Sequence, residues 1–327
     1  MPVLRINATE GQLQLQSGDS AIAPVLESQA TAQGPVIVMV HGYKYAPGHP
    51  THCPHAKIFR DTPGGWPCAL SAGGASPATA LLIAFGWFAR GSLRQAHARA
   101  AVLGPRLAEL IGLIRRHLPG RSIHIIAHSL GSELALSALA HLPRGAVQRM
   151  VLLTGASFAA KACAMLNTPA GRTTELFNIT SRENDLFDLA FERLAEAPHP
   201  GAHALGQGID MPNALNLQLD CTGTVRALNR LGFVVATSQR RVCHWSSYTR
   251  PGIMRFYAAL LSAPQLLPQA RLAQLVPAHP TPRWSRLPGQ AAMVWVLPFW
   301  TGAQRLGRRL LGRVMDPRPK HTRRALS

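Results

Sequence analysis

The sequence predicts an α/β fold in which a mostly parallel central sheet carries helices on both faces. Three observations predict it. Short β-branched runs alternate with helical patterns along most of the chain, which is typical of parallel strands joined by crossover helices. The run at residues 35–40 is continuously apolar and the run at 123–128 is rich in β-branched apolar residues, as expected of strands buried on both faces. The second run ends at a serine and continues directly as a helix.

The individual elements follow from the N-terminus. A short strand is expected near residues 11–15, and a long loop rich in Pro, Gly and His over residues 44–77. Helical spacing of Leu and Ala over residues 92–118 predicts one helix that ends at Pro119-Gly120. The other expected strands are 35–40, 78–88, 123–128, 149–153, 175–180 and 233–237, and the other expected helices are 130–142, 158–166, 186–195, 224–231 and 251–261.

Changes in composition divide the 327 residues into three parts. Residues 1–34 are a polar N-terminal extension, residues 35–262 form the main α/β domain, and residues 263–327 form a Pro- and Arg-rich C-terminal tail. The formal net charge is +19. From residue 264 onward eleven Arg or Lys residues face a single acid, Asp316, and such asymmetry indicates an anionic partner for the tail.

The tail contains an apolar segment at residues 291–300, which is too short to span a bilayer core of about 30 Å. Behind it, residues 306–314 place Leu and Val on one helical face and Arg on the others. This pair resembles an interfacial membrane anchor. A helix that docks on the protein body with its arginines in water explains the pattern equally well. Neither an RNA-binding signature nor zinc-finger spacing accompanies the charge, so no nucleic-acid partner is expected.

Cysteine usage and the N-terminus bear on the compartment. The five cysteines are an odd and scattered set, which suits a reducing compartment better than a disulfide framework. The first sixteen residues contain no apolar segment of the kind found in secretory signals. We therefore expect a cytoplasmic protein, with peripheral membrane contact if the tail is an anchor.

The turn at Ala127-His128-Ser129-Leu130-Gly131 has the outline of a nucleophile elbow. A serine on a tight strand-to-helix turn has its Oγ lifted clear of the sheet above the positive end of the following helix. Small residues two positions before and after the serine allow strand and helix to approach closely. Ser129 is therefore the candidate nucleophile.

An acyl-transfer serine also needs two backbone N–H groups that hold the oxyanion. His41-Gly42-Tyr43 follows the first long strand, where its loop can direct the Tyr43 N–H toward a substrate oxygen. Leu130, directly after the serine, would supply the second N–H group.

The acid and base have candidates at the ends of later strands. Asp185 lies just past the strand at 175–180, and the carboxyl ends of parallel strands are where such sheets place their chemistry. The competing carboxylates are Asp188, Asp210 and Asp220. His244 follows the expected last strand, which gives the chain order Ser, Asp, His.

Two other groups of histidines have different interpretations. His128 is expected to point behind the elbow, because consecutive strand residues face opposite ways. The loop that contains His49, His52, Cys53, His55 and Cys68 lacks the paired spacing of zinc sites. We expect no metal there, and interpret the loop as an overhang that shapes the substrate pocket.

The span from about residue 34 to 261 resembles the α/β-hydrolase superfamily, in particular bacterial hydrolases of esterase or lipase type. The motifs that carry this resemblance are the HG loop at residues 41–42 and the AHSLG elbow, together with their spacing. The resemblance implies an eight-stranded, mostly parallel sheet, no cofactor, and a triad of Ser129, His244 and Asp185. The sequence thus predicts a serine hydrolase acting on a small-molecule or lipid-like carboxylic ester or thioester. The alternative is a hydrolase scaffold without activity that serves as a binding or membrane-docked module.

Overall fold

Eight strands form one sheet in the part of the chain that the structure describes. A computed structural model describes residues 3–18, 21–31, 33–73 and 80–281. The strands are β1 Val3–Ala8, β2 Leu13–Leu15, β3 Val36–Val40, β4 Leu81–Trp87, β5 Ile123–His128, β6 Arg149–Leu153, β7 Glu175–Thr180 and β8 Ala214–Gln218. Their order is β2-β1-β4-β3-β5-β6-β7-β8. Only the β1–β2 pair in this sheet is antiparallel, which confirms the predicted fold class.

Helices cover both faces of this sheet. They are α1 Ile22–Glu27, α2 Pro54–Lys57, α3 Trp66–Gly73, α4 Leu93–Val102, α5 Gly104–His117, α6 Leu130–Ala138, α7 Ala159–Leu166, α8 Asp185–Leu194, α9 Thr222–Arg230, α10 Ser246–Thr249, α11 Ile253–Ser262 and α12 Gln269–Leu275. Side chains of β3 alternate between the faces. Val36 and Val38 join the core with α4, α5 and α6, whereas Ile37 joins the core with α9 and α11. None of the helices in the described ranges has the length and hydropathy needed to cross a bilayer.

The single helix expected over residues 92–118 is two helices. Ser92 and Gln95 form a capping box at the start of α4, and the chain breaks at Leu103 before Gly104 and Pro105 begin α5. A Cβ on Gly104 would lie 2.6 Å from Ser137 Cβ of α6. The break therefore brings α5 against the helix that follows the elbow, which a continuous helical pattern did not reveal.

The last strand of the described chain is β8 at residues 214–218. The prediction of a strand at residues 233–237 is wrong. β8 pairs in parallel with β7, and Asn178 Nδ2 donates to Asn216 Oδ1 across the pair at 2.9 Å. Residues 233–235 instead close the end of α9, since Phe233 N donates to the Leu228 carbonyl and Val235 N to Asn229 Oδ1.

Other differences lie near the chain ends and in the long loop. The N-terminal extension contributes β1 and β2 to the sheet. The loop expected over residues 44–77 contains α2 and α3, and the start of the tail contains α12. The apolar segment at 291–300 and the arginine-rich helix at 306–314 lie outside the described residues.

The strand order fixes where a site can form. β3 lies between β4 and β5, so the chain leaves β3 toward one side of the sheet and later returns to the other. A crevice opens at such a point beyond the carboxyl ends of the strands, where open α/β sheets bind ligands. The HG loop after β3, the serine after β5 and the carboxylates after β7 all follow carboxyl ends of strands.

Candidate active site

Ser129 has the strained backbone of a nucleophile elbow. Its φ is 54° and its ψ is −127°, between the end of β5 and the start of α6. A non-glycine residue with positive φ costs of order 1–3 kcal/mol and persists only where the surroundings hold it. Here Ser129 N donates to the Leu153 carbonyl at 3.1 Å, and Ala156 N donates to the Ser129 carbonyl at 3.0 Å. The turn after β6 therefore holds the serine from one side.

Two glycines allow the loop after β3 to contact the elbow. A Cβ on Gly131 would lie 2.6 Å from the His41 carbonyl oxygen, and a Cβ on Gly42 would lie 2.7 Å from Ser129 Cβ. Real Cβ atoms do not approach other atoms this closely. The small residue two positions after the serine is therefore a requirement of packing between α6 and the HG loop.

His41 fixes the HG loop and is not free to act as a base. Trp87 N donates to His41 Nε2 at 3.0 Å, and Trp87 Nε1 donates to the His41 carbonyl at 3.0 Å. Because Nε2 accepts, Nδ1 carries the proton and donates to the Gly42 carbonyl at 2.9 Å. Burial lowers the pKa of His41 to about 3, so the ring stays neutral.

The two predicted oxyanion donors, the N–H groups of Tyr43 and Leu130, lie next to Gly42 and Ser129 in the chain. Tyr43 follows Gly42, and within the described ranges its N–H donates to no backbone carbonyl or side chain. Its hydroxyl donates to the Gly91 carbonyl at 2.6 Å, which fixes the side chain. Leu130 is the first residue of α6, and first-turn N–H groups of a helix have no partner within it. Both N–H groups are thus placed on elements that meet at the elbow.

His244 lies in the loop between α9 and α10, with its side chain 9% exposed. Its Nδ1 is 2.7 Å from Asn184 Oδ1, and the Phe187 ring stacks on the imidazole with centroids 4.7 Å apart. An amide oxygen can only accept, so Nδ1 carries the proton and Nε2 has the free lone pair. Burial, and then the nearby His128, hold the pKa of His244 well below 6.5.

The side chain behind His244 is Asn184, one residue before the predicted Asp185. Residues 182–184 form a 3₁₀ turn, and Asp185 begins α8. This turn directs Asn184 toward His244, whereas Asp185 Oδ2 lies 3.3 Å from Arg182 Nε. The expected contact between the histidine and Asp185 is therefore corrected to a contact with Asn184. Asn184 was not among the expected site residues because its amide side chain carries no charge.

The three competing carboxylates have different surroundings. Asp188 is buried and accepts from Asn184 Nδ2 at 2.9 Å, and burial raises its pKa to about 8. Asp220 accepts from Arg182 N at 2.9 Å. Asp210 lines a cavity of about 270 Å³ beside α7. Of the three, Asp188 is the one joined to His244 through Asn184.

A buried ion pair connects the end of β7 to the histidine loop. Arg250 Nη2 lies 2.6 Å from Glu183 Oε2, with side-chain exposures of 3% and 1%. Ser238 Oγ also donates to Glu183, at 2.6 Å, and Cys243 N donates to the Glu183 carbonyl at 2.9 Å. The residues before Asn184 and before His244 are therefore held to each other.

His128 packs behind His244. Its Nε2 lies 3.2 Å from the His244 carbonyl oxygen, and the two rings are 4.6 Å apart. Tyr248 contacts the His128 ring edge-on at 4.9 Å and the Trp66 ring at 5.3 Å. The segment over residues 44–77, which was expected to overhang the site, thus contacts Tyr248 beside His128 through Trp66.

The histidines and cysteines of that segment are dispersed. His55 Nε2 lies 2.7 Å from Asn7 Oδ1, and the rings of His49 and His52 contact each other at 5.0 Å. Cys53 and Cys68 are free thiols. Within the described ranges no three His, Cys, Asp or Glu side chains are grouped so that they could hold a metal ion.

The sheet order and the elbow are those of an α/β-hydrolase fold. Residues 18–162 match the model of a family described as an alpha/beta hydrolase of unknown function (DUF900). This match and the mostly parallel sheet order support the resemblance to the α/β-hydrolase superfamily seen in the sequence. The comparison with curated proteins found no match.

Three solved structures are similar to this chain at low identity. A Trichoderma reesei cutinase in complex with a phosphonate inhibitor is 15% identical, with a TM-score of 0.26 over 49% of this chain and 69% of that one. The Bacillus licheniformis lipase BlEst2 in propeptide form is 15% identical, with a TM-score of 0.35 over 79% and 53%. The phospholipase PlaB from Legionella pneumophila, in complex with thio-NAD, is 10% identical, with a TM-score of 0.27 over 52% and 43%. The chain thus spans about half the length of that lipase and less than half of that phospholipase.

Proposed function

We propose that this protein is a serine hydrolase that cleaves a carboxylic ester or thioester through an acyl-enzyme on Ser129. The strained elbow carries the proposal, because backbone strain at non-glycine residues is concentrated at functional sites. The loop with Gly42 against Ser129 Cβ supports it, as does a histidine whose tautomer leaves Nε2 free to accept a proton.

In the proposed reaction, His244 Nε2 takes the Ser129 Oγ proton while Oγ attacks the carbonyl carbon of the substrate. The N–H groups of Tyr43 and Leu130 stabilise the oxyanion of the tetrahedral intermediate. Collapse of the intermediate expels the alcohol or thiol, which receives the proton from Nε2. A water molecule then loses a proton to Nε2, attacks the acyl carbon and releases the acid, and Oγ recovers its proton.

Asn184 replaces the predicted Asp185 in this proposal. Its amide oxygen holds the correct histidine tautomer, as the asparagine does in Cys-His-Asn proteases, but it adds no negative charge beside the imidazolium. With its lowered pKa, His244 is a weak base toward the serine, so attack depends more on how reactive the substrate carbonyl is. We therefore expect substrates with good leaving groups to be favoured.

Labelling by a fluorophosphonate probe tests the nucleophile. Wild type is expected to be labelled and Ser129→Ala is not, with a loss of kcat on the order of 10⁶-fold on p-nitrophenyl esters. Ser132→Ala, three residues along α6 at a buried hydroxyl without a hydrogen bond in the described chain, is the matched control that keeps the label. Labelling that persists in Ser129→Ala would refute the assignment. The same series of esters measures the preferred acyl length.

A scaffold without activity is the second candidate. Two observations favour it. His244 Nδ1 meets an amide in place of a carboxylate, and within the described ranges no hydrogen bond joins Ser129 Oγ to His244 Nε2. Hydrogen bonds of this kind often tighten only when substrate binds, so we favour catalysis. A folded wild type that neither takes the probe nor cleaves any ester of the series would establish the scaffold.

The C-terminal tail motivates a proposal about partners. We propose that it contacts anionic membrane, which would bias the enzyme toward lipid-like esters. Sedimentation with phosphatidylserine vesicles should fall when Arg308 and Arg309 are both changed to glutamate. Equal sedimentation of the two proteins would reject this role and favour a tail that docks on the protein itself.

A further inference from the structure

The orientation of the Asn184 amide decides which histidine tautomer is present. Its two ends are nearly equal in shape and opposite in hydrogen-bonding character. With Oδ1 toward His244, Nδ1 carries the proton and Nε2 accepts, as the proposed reaction requires. With Nδ2 toward His244, Nδ1 would have to accept, the proton would move to Nε2, and the ring could not take a proton from serine. Something besides His244 must therefore select the orientation.

Asp188 has the geometry for this selection. It lies one helical turn after Asn184 and accepts from Asn184 Nδ2 at 2.9 Å. A carboxylate oxygen can only accept, so it pairs with the NH₂ end of the amide and leaves Oδ1 for His244. We infer that Asp188 is a positioning residue of the proposed active site, which acts through Asn184 to hold His244 in its catalytic tautomer. This inference rests on the proposed function.

The surroundings of Asp188 hold its carboxyl group in place. The residue is 8% exposed, and a Cβ on Gly206 would lie 2.0 Å from Asp188 Oδ2, so only glycine fits there. Among the described residues Asp188 forms no salt bridge. Its hydrogen-bond partner there is the Asn184 amide. A buried carboxyl group is costly unless it is paired. Its presence here is explained by a role toward that amide.

The selection is sharpest while the Asp188 carboxyl group is ionised. Burial raises its pKa to about 8. The charged groups that act on it are Asp185 and Glu192, which raise the pKa further, and Arg182, which lowers it. In the protonated acid the carbonyl oxygen can still accept from Asn184 Nδ2, but the O–H group can also donate to Asn184 Oδ1, so the two orientations of the amide are less sharply distinguished. In the ionised form the accepted hydrogen bond is charge-assisted and stronger.

Three variants test the role. At pH 9, where the Asp188 carboxyl group is ionised, the new amide in Asp188→Asn can present either end to Asn184, so selection is lost and kcat/KM should fall about 10- to 100-fold, the range found when partners of metal-bound histidines are removed. In the double variant Asn184→Asp with Asp188→Asn, a carboxylate faces His244 directly and an amide donates to it, so kcat/KM should recover. Glu10→Gln, at an exposed carboxylate, is the matched control and should change nothing.

Nitrogen-15 NMR of histidine-labelled full-length protein supplies a readout independent of activity, with His244→Gln identifying the His244 signals. At pH 9 the proton is expected on Nδ1 in wild type, shared between Nδ1 and Nε2 in Asp188→Asn, and on Nδ1 again in the double variant. A folded Asp188→Asn that keeps the full Nδ1–H signal overturns the inference, and so does a double variant that stays mixed. If wild type has the Nδ1–H form yet cleaves no ester, the proposed function fails while the tautomer shift in Asp188→Asn still decides the inference.

Discussion

Replacing Arg250 by methionine is expected to destabilise the protein and to loosen the histidine loop from the end of β7. The guanidinium and the Glu183 carboxylate are almost fully buried at 2.6 Å. Removing one partner of such a pair leaves a buried charge uncompensated and costs about 3–5 kcal/mol. Glu183 would keep its hydrogen bonds from Ser181 and Ser238, which favours the lower end, about 3 kcal/mol.

Urea unfolding at pH 7, followed by circular dichroism, measures this cost. Arg94→Met is the matched control, because Arg94 pairs with Glu196 at 3.1 Å while both side chains are more than 70% exposed. Exposed pairs contribute about 0–1 kcal/mol. The double variant Glu183→Gln with Arg250→Met should recover part of the loss, since it leaves no unpaired buried charge. The reasoning is refuted if Arg250→Met costs no more than Arg94→Met.

Three further outcomes are expected. Burial lowers the pKa of His124 from 6.5 to about 3. Its contribution to the free energy of unfolding is therefore fully present above pH 6.5 and is lost as the pH falls toward 3, at up to about 1.4 kcal/mol per pH unit. His124→Leu should therefore flatten the acid decline in urea unfolding between pH 7 and 5, unlike His141→Leu at an exposed site. Gly131→Val should abolish esterase activity and lower the thermal midpoint, because even a Cβ meets a carbonyl oxygen at 2.6 Å. In Asp188→Asn, where no carboxyl group at that position titrates, the rising limb of kcat/KM against pH should lie below 6.5, since the pKa of His244 is depressed; a limb at or above 6.5 in that variant contradicts this.

Most of the sheet could be predicted because most of its central strands are short runs dominated by apolar residues. The strand at 149–153 has the predicted bounds. The predicted strand at 233–237 failed, because a short apolar run says nothing about whether a partner strand is available. β8 is less apolar, yet it pairs with β7 along its length.

The parts of the candidate site that depend on backbone shape could be predicted from the sequence. The prediction failed where a single turn decides which side chain faces His244. The serine between β5 and α6 was found from the strand-to-helix pattern. The partner of His244 was displaced by one residue, because a 3₁₀ turn rotates the chain by about 120° per residue and so directs adjacent side chains to different neighbours. Asn184 is neutral, and charge was the property that directed attention to Asp185.

The contact between Trp87 and His41 has a consequence for the kinetics of ligand binding. Two buried hydrogen bonds and stacked rings 5.6 Å apart join the end of β4 to the loop after β3. A ligand that needed this loop to move would have to break both bonds first. We therefore expect association in a single phase, without a slow rearrangement step, and the indole of Trp87 offers an intrinsic fluorophore on which to observe it.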